Sequence, residues 1–218
     1  MFSNWLSRFR PKVFEELTKA RIHAIVHGEV ERLLEPRGFE SVDELKWVRG
    51  RDAPIRQVFQ LCKWKDGKVR PLWGVSLDFV PHISGKKAAW HRSNKSAKLD
   101  LCCDPGAEAL KMPYLYGEEL IQRQYKQVID AALHDANQFW SMSSSVDDLP
   151  KVIDWLQDFY RTAKRPTFYS YPQHALAVPF ILKQLGNGSE ALTEFERRRP
   201  LIWGEPDAKQ KLGELLSK

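Results

Sequence analysis

At 218 residues the chain has the length of one generous domain, or of one domain with an appended subdomain, and its 43% apolar content with eight Trp excludes a disordered chain. No run approaches the ~20 apolar residues of a membrane span, and three Cys in a chain this long exclude a disulfide framework. A net charge of +6 allows an acidic partner, nucleic acid included, without demanding one.

The opening segment MFSNWLSRFRPK lacks an apolar stretch after a basic start, so no secretory signal is expected and a cytoplasmic setting is. Phe2, Trp5, Leu6 and Phe9 fall at helical spacing, which suits packing on the chain's own domain or, as the alternative, an amphipathic turn against a membrane or partner. Pro11 suits the first turn of a helix whose stripe is Val13, Phe14, Leu17, Ala20 and Ala24. That helix continues through Ile22, Ile25, Val26, Val30, Leu33 and Leu34, with a bend expected near Gly28, and stops at Pro36-Arg37-Gly38. Leu45 to Val48 reads as a short strand.

The strongest local signal runs from Ile55 to Val80, two strands joined at Asp66-Gly67. Ile55, Phe59 and Leu61 share one face of the first strand; Trp73, Val75, Leu77 and Phe79 share one face of the second. A two-residue turn would set Trp73 against Gln60 and Leu77 against Arg56, polar against apolar. One extra residue, in a three-residue loop or a bulge near Pro71, pairs Leu61 with Trp73, Phe59 with Val75 and Ile55 with Phe79, and is therefore predicted. Pro71 has no N–H for a ladder, which suits a bulge or an edge.

Pro81 to Lys98 breaks the pattern, with Lys86, Lys87, Arg92, Lys95 and Lys98 and no acid. Leu99 to Cys103 is another strand, closed by Asp104-Pro105-Gly106. The remainder is helical. Ile121, Tyr125, Val128, Ile129, Ala132 and Ala136 repeat at 3.6-residue spacing. Ser145 to Asp148 is a capping signal for a helix carrying Val152, Trp155, Leu156, Phe159 and Tyr160, which Pro166 ends. His174 to Leu185 and Ser189 to Arg199 form a helix pair about Gly186-Asn187-Gly188, and Asp207 to Leu216 a last short helix. The expected architecture is a single α+β domain over 1–218: a helical segment 1–38, a sheet region 44–104 of about four mostly antiparallel strands with a basic loop 85–98, and a helical part 117–218 covering the sheet.

Candidate chemistry is sparse. His23 and His27 stand four apart on a helix, but zinc needs a third protein ligand and only Glu31 is close, so a solvated face is the better account. Cys102-Cys103 alternate across a strand, predicting one buried and one exposed thiol, and a nucleophilic Cys would need a base such as His82 or His91. Glu44-Leu45-Lys46 has the ExK spacing of metal-dependent nucleases, with Asp78 as the second acid such a site needs. Phosphate-binding Gly-rich loops and a nucleophile elbow are absent. No catalytic residue, cofactor or metal is therefore assigned. Arg197-Arg198-Arg199 follows a helix and complements its C-terminal dipole.

The basic loop is the most function-like stretch. Lys86, Lys87, Trp90, His91, Arg92 and Lys95 form the candidate partner-binding group: cations for an acidic surface, Trp90 as its anchor. The same residues could serve single-stranded nucleic acid, with phosphates neutralised and a base stacked on Trp90. A solvated loop is the plain alternative.

VERLLEPRGFES from Val30, followed by a strand and a hairpin, resembles the opening of a bacterial family of domains of unknown function, and ALAVPFILKQLGNGSEAL, Ala175 to Leu192, is similar to that family's closing helix pair. The two segments and their surroundings cover about a third of the chain, and the first twenty residues and the basic loop depart from the pattern. The resemblance implies an α+β fold and a cytoplasmic bacterial setting, with no catalytic residues to carry over. By analogy such domains look like immunity or accessory proteins of toxin and defence systems. The expectation is a non-catalytic, cytoplasmic protein-binding protein, an immunity protein that neutralises a toxin being one form. The alternatives are a nucleic-acid binder through loop 85–98 and a metal-dependent nuclease.

Overall fold

The computed structural model describes residues 15–50, 53–84, 87–106, 110–162 and 168–218. Helix α1 spans Lys19–Leu34, capped by the Thr18 side chain accepting from the Arg21 N–H, with Ile22, Val26, Val30 and Leu34 buried along one stripe. Residues 15–17, the described part of the segment ahead of the cap, are not helical, contrary to the pattern that runs from Pro11. Glu15 and Leu17 donate to the Leu115 and Tyr114 carbonyls at 3.1 and 3.0 Å, so tertiary backbone pairing wins over the local stripe there. The aromatic repeat Phe2 to Phe9, Pro11 and Pro166 lie outside the described residues. A 3₁₀ turn, Glu35–Arg37, and Gly38 at φ 79° stop α1 where expected.

The sheet is antiparallel throughout. Its strands are β1 (Glu40–Asp43), β2 (Lys46–Arg49), β3 (Ile55–Lys63), β4 (Lys68–Leu77) and, after a small hairpin of β5 (His82–Ser84) and β6 (Lys87–Ala89), β7 (Leu101–Cys103) and β8 (Met112–Pro113). The spatial order is β1-β2-β3-β4-β7, with β8 beside the start of β4. Strand β1 was not legible in the sequence, and its half-exposed pattern explains why.

The β3–β4 hairpin has the three-residue loop predicted, but its pairing differs by two residues. Phe59 faces Trp73, Leu61 faces Pro71 and Ile55 faces Leu77. The loop takes its extra residue before Asp66, because Gly67 donates to Trp64 O and Trp64 in turn donates to Lys68 O. Gly67 sits at φ 80°, where a side chain would be strained and would also meet Leu115. A shift of two keeps every side chain on its predicted face. Counting bonded pairs from Trp64–Lys68, Pro71 falls on a position whose missing N–H points away from β3. It points into the gap that β8 and β7 leave on the other side of β4.

Trp47, Phe59, Trp73, Val75 and Leu77 make the inner face, which merges with the helices into one continuous core. Helix α2 (Glu118–Ser141) lies on it, with Trp140 donating to Gly74 O at 3.0 Å and packing on Phe39. A Ser145–Asp148 capping box precedes α3 (Leu149–Thr162), as predicted. Helices α4 (Pro172–Gln184) and α5 (Gly188–Arg198) pair about Gly186, and α6 (Pro206–Ser217) closes the core.

Strand β7 ends the sheet, and its outward backbone groups need partners. Tyr160 from α3 accepts from the Asp104 N–H and donates to Cys102 O, both at 3.1 Å. His174 from α4 accepts from the Cys102 N–H through Nε2 at 3.0 Å. Three edge groups are satisfied by two buried side chains. Both Cys102 and Cys103 are therefore buried, not one of the pair as alternation alone suggests, because α4 covers the face that a free edge would expose. Close approach also fixes Gly74: a Cβ there would lie 2.1 Å from Leu101 O and 2.8 Å from Cys102 Cα, both backbone atoms. Gly74→Ala is expected to lower the unfolding free energy by about 2–4 kcal/mol, read from the midpoint of a urea titration. An unchanged midpoint would show that β7 can move aside without cost.

Candidate functional site

The basic segment after β6 is folded back over the outer face of the sheet. Arg56 on β3 donates to the carbonyls of His91 and Arg92, at 3.2 and 2.6 Å. Lys98 N donates to Ser76 Oγ at 3.1 Å, and Lys46 Nζ donates to Ala97 O at 2.9 Å. Ala97 completes a small second apolar cluster with Val48 and Val58. The segment is thus the cover of the sheet's second face rather than a solvated loop.

This folding separates the residues singled out from the sequence. His91 is fully buried, so it cannot meet a partner as proposed from its neighbours' charge. Lys87, Trp90 and Arg92 are exposed together, with the Arg92 guanidinium 4.5 Å over the Trp90 ring. Lys95 is exposed on the Ser93–Ser96 turn, away from Trp90's hollows, and Lys86 lies outside the described residues.

Two adjoining hollows of about 400 and 420 Å³ share Trp90, Leu215 and Lys218. Phe79 and Phe180 add apolar lining to the first. Arg92 and Lys183 edge the first and Lys87 and Lys211 the second, with Glu214 the one acid among their lining residues. Strand β6, helices α4 and α6 and the non-helical segments holding Phe79, Trp90 and Arg92 supply these groups, so only Lys87, Trp90 and Arg92 were visible as a local run.

Behind this surface the buried His91 joins a chain of titratable groups. Its Nε2 lies 2.6 Å from Asp100 Oδ2, and its Nδ1 lies 3.2 Å from Nδ1 of His82. Asp100 also accepts from the Leu77 N–H at 2.7 Å. Burial raises the Asp100 carboxyl, against the opposing hydrogen bond from His91. Burial lowers His82, helped by the neighbouring His91. His82 opens into a cleft of about 550 Å³ between the sheet's outer face and α4, which Lys46, Lys98 and Trp203 also line. The signal for this chain in the sequence was two histidines nine residues apart and an aspartate nine further on, a spacing with no helical or strand meaning.

The nuclease set does not assemble. Glu44 lies in the β1–β2 turn, whereas Asp78 follows Leu77 at the far end of β4. Through Gln60 the register sets Lys46 level with Leu72, so Asp78 lies six residues farther along, roughly 20 Å at 3.3 Å per residue, and Glu44 lies beyond Lys46 at the opposite end. On α1, His27 pairs with Glu31 at 3.1 Å and its ring packs on His23 at 4.4 Å. Among the described residues no group of three or more His, Cys, Asp or Glu is placed to hold a metal ion. Arg197 and Arg198 pair with Glu194, and Arg199 with Glu196, within their own helix and its end.

The structure does bring one thiol to a histidine. Cys102 Sγ is 3.3 Å from His174 Nε2, not near His82 or His91. The pair is built for structure. His174 Nδ1 lies 2.8 Å from Phe168 O, which fixes the proton there and leaves Nε2 the acceptor. Burial pushes the Cys102 thiol up to about 12 and His174 down to about 4, the reverse of an activated thiolate–imidazolium pair. No family model matches the chain, and no match is found among curated proteins or solved structures.

His174 makes one contribution to the pH dependence of stability. The folded state keeps it neutral down to about pH 4, while the unfolded chain takes up a proton near its ordinary 6.5. Between these values the unfolded state binds more protons, so this contribution is complete above pH 6.5 and is lost as pH falls toward 4. The expected slope reaches at most about 1.4 kcal/mol per pH unit. Urea titrations of the wild type and His174→Gln at several pH values isolate it as the difference between the two profiles; parallel profiles would show that His174 is not held neutral. In the native state at pH 8, Cys102 is expected to resist iodoacetamide until urea unfolds the chain, checked by mass spectrometry of the alkylated peptide.

Proposed function

We propose that this is a non-catalytic binding protein whose groove beside Trp90 takes an acidic segment of a protein partner. The observation that carries the reading is the convergence on one surface of a half-exposed indole, an apolar lining from Phe79, Phe180 and Leu215, and a rim of Lys87, Arg92, Lys183, Lys211 and Lys218. An aromatic anchor in an apolar hollow supplies affinity, while the rim of one charge supplies steering and selects an acidic partner. Stacked Arg92 covers one face of Trp90, which favours an acidic peptide over a nucleic-acid base that would need that face. Neutralisation of a bacterial toxin is the form of this reading suggested by the resemblance of the first helix and the closing helix pair to bacterial accessory domains. Three free thiols suit a reducing, cytoplasmic setting.

The test is capture of partners from the native host with tagged wild type beside Trp90→Ala, followed by calorimetry on the partner recovered. Trp90→Ala is expected to weaken binding by about 30-fold or more, the cost of a hot-spot aromatic, with an unchanged melting temperature. Reversing Lys211 and Lys218 to Glu is expected to slow association and flatten its salt dependence. A stoichiometric protein partner held equally by wild type and Trp90→Ala would sink the reading. Recovery of nuclease-sensitive nucleic acid with a steep salt slope would replace it with the nucleic-acid alternative.

A further inference from the structure

The cleft bounded by Lys46, Lys98 and His82 is separate from the groove beside Trp90, and its chemistry points to a different ligand. Lys46 on β2 and Lys98 ahead of β7 both line it. Asp43 and Asp100 also line the cleft, but Asp100 pairs with His91 and, among the described residues, Lys46 Nζ donates to the Ala97 carbonyl and not to a carboxylate. Asp43 is close enough to attract Lys46, yet burial and the neighbouring Lys98 outweigh it and lower the proton affinity of Lys46. Two cations held near each other, one of them half-buried, are an arrangement that an anion relieves.

His82 adds a third donor. Its Nδ1 is engaged with His91, which leaves Nε2 as the ring nitrogen available to the cleft. In the tautomer where the His91 Nδ1–H donates to His82, the His82 Nε2 carries the proton and can donate into the cleft. A dianion in the cleft selects that arrangement. The cleft, at about 550 Å³, is far larger than a phosphate group needs, and its far wall is apolar, with Leu176, Ile202 and Trp203. Trp203 is the most exposed large apolar side chain among the described residues, 77% accessible, and stands at the cleft's rim where a planar ring can stack on it.

We propose that this cleft binds a small ligand in which a phosphate monoester is joined to a planar ring: Lys46, Lys98 and His82 hold the phosphate, and Trp203 stacks the ring. Recognition needs both halves. The phosphate fixes the ligand against the sheet through three donors, and the indole adds contact area at low entropic cost.

Calorimetry with the full chain tests this, using adenosine monophosphate, ribose 5-phosphate and adenosine as probes. Adenosine monophosphate is expected to bind saturably, ribose 5-phosphate at least about tenfold more weakly, and adenosine more weakly still. Lys98→Gln is expected to weaken adenosine monophosphate at least about tenfold, and Trp203→Ala to weaken it toward the ribose 5-phosphate value. Both positions are exposed, so folding is retained and is verified by an unchanged melting temperature. Absence of saturation by any of the three at about 10 mM overturns the proposal. So does adenosine binding as tightly as its monophosphate, or adenosine monophosphate binding that is indifferent to Lys98→Gln. Trp90→Ala, which lies in the other groove, is expected to leave this binding unchanged, and a loss there would place the nucleotide on the wrong surface.

Discussion

The free edge of β7 is the constraint on which the arrangement of this molecule depends. A buried strand edge cannot leave its N–H and C=O groups unpaired, since each costs as much as a lost hydrogen bond. Here Tyr160 and His174 meet three such groups from two different helices. Each side chain must enter at a fixed angle, so α3 and α4 are located against the sheet by polar geometry as well as by apolar contact. Once α4 is placed, its ends define both surface features. Phe180 and Lys183 border the groove beside Trp90, and Gln173 and Leu176 border the cleft.

The outer face of the sheet presents the complementary problem. Helix α4 reaches the outer face only at β7, over Cys102, and Val48 and Val58 farther along the sheet would be exposed. The basic segment solves this with a short chain of backbone acceptors. Arg56 holds two of its carbonyls, Lys46 a third, and Asp100 takes the Leu77 N–H from the sheet. Positive side chains are thereby used inward, where they stabilise carbonyl dipoles, and outward, where Lys87 and Arg92 flank Trp90. The same fold-back buries His91 against Asp100 and connects it to His82. A stretch that looks like a single charged run is divided into a structural clamp, a buried relay and an exposed patch.

Much of the fold was legible because period and punctuation are local. The α1 stripe of Ile22, Val26, Val30 and Leu34, its stop at Gly38, the capping box at Ser145 and the α4–α5 break at Gly186 each rest on neighbours within a few residues. The hairpin shows where that reach ends. Apolar alternation demands an odd number of loop residues, since a shift of one would turn Phe59 and Trp73 out of the core. It does not distinguish shifts that differ by two, and the choice between them was made by Gly67 adopting positive φ beneath Leu115, a residue nearly fifty positions away. The start of α1 was misplaced for the same reason, with Glu15 and Leu17 pairing to the backbone at Tyr114 and Leu115.

The candidate site was legible only in its charge. Composition and alternation determined an antiparallel sheet backed by helices and a basic and aromatic segment beside it. They could not assign Trp90 to an apolar groove, His91 to the interior, or Lys46 to the same cleft as Lys98, His82 and Trp203. Those assignments join residues from β2, β5, the basic segment and the turn before α6. Local sequence governs backbone conformation through sterics and hydrogen bonds that act over a few residues. Which side chains share a cavity is decided by how buried polar groups far apart in the chain find their partners, and only the tertiary structure carries that information.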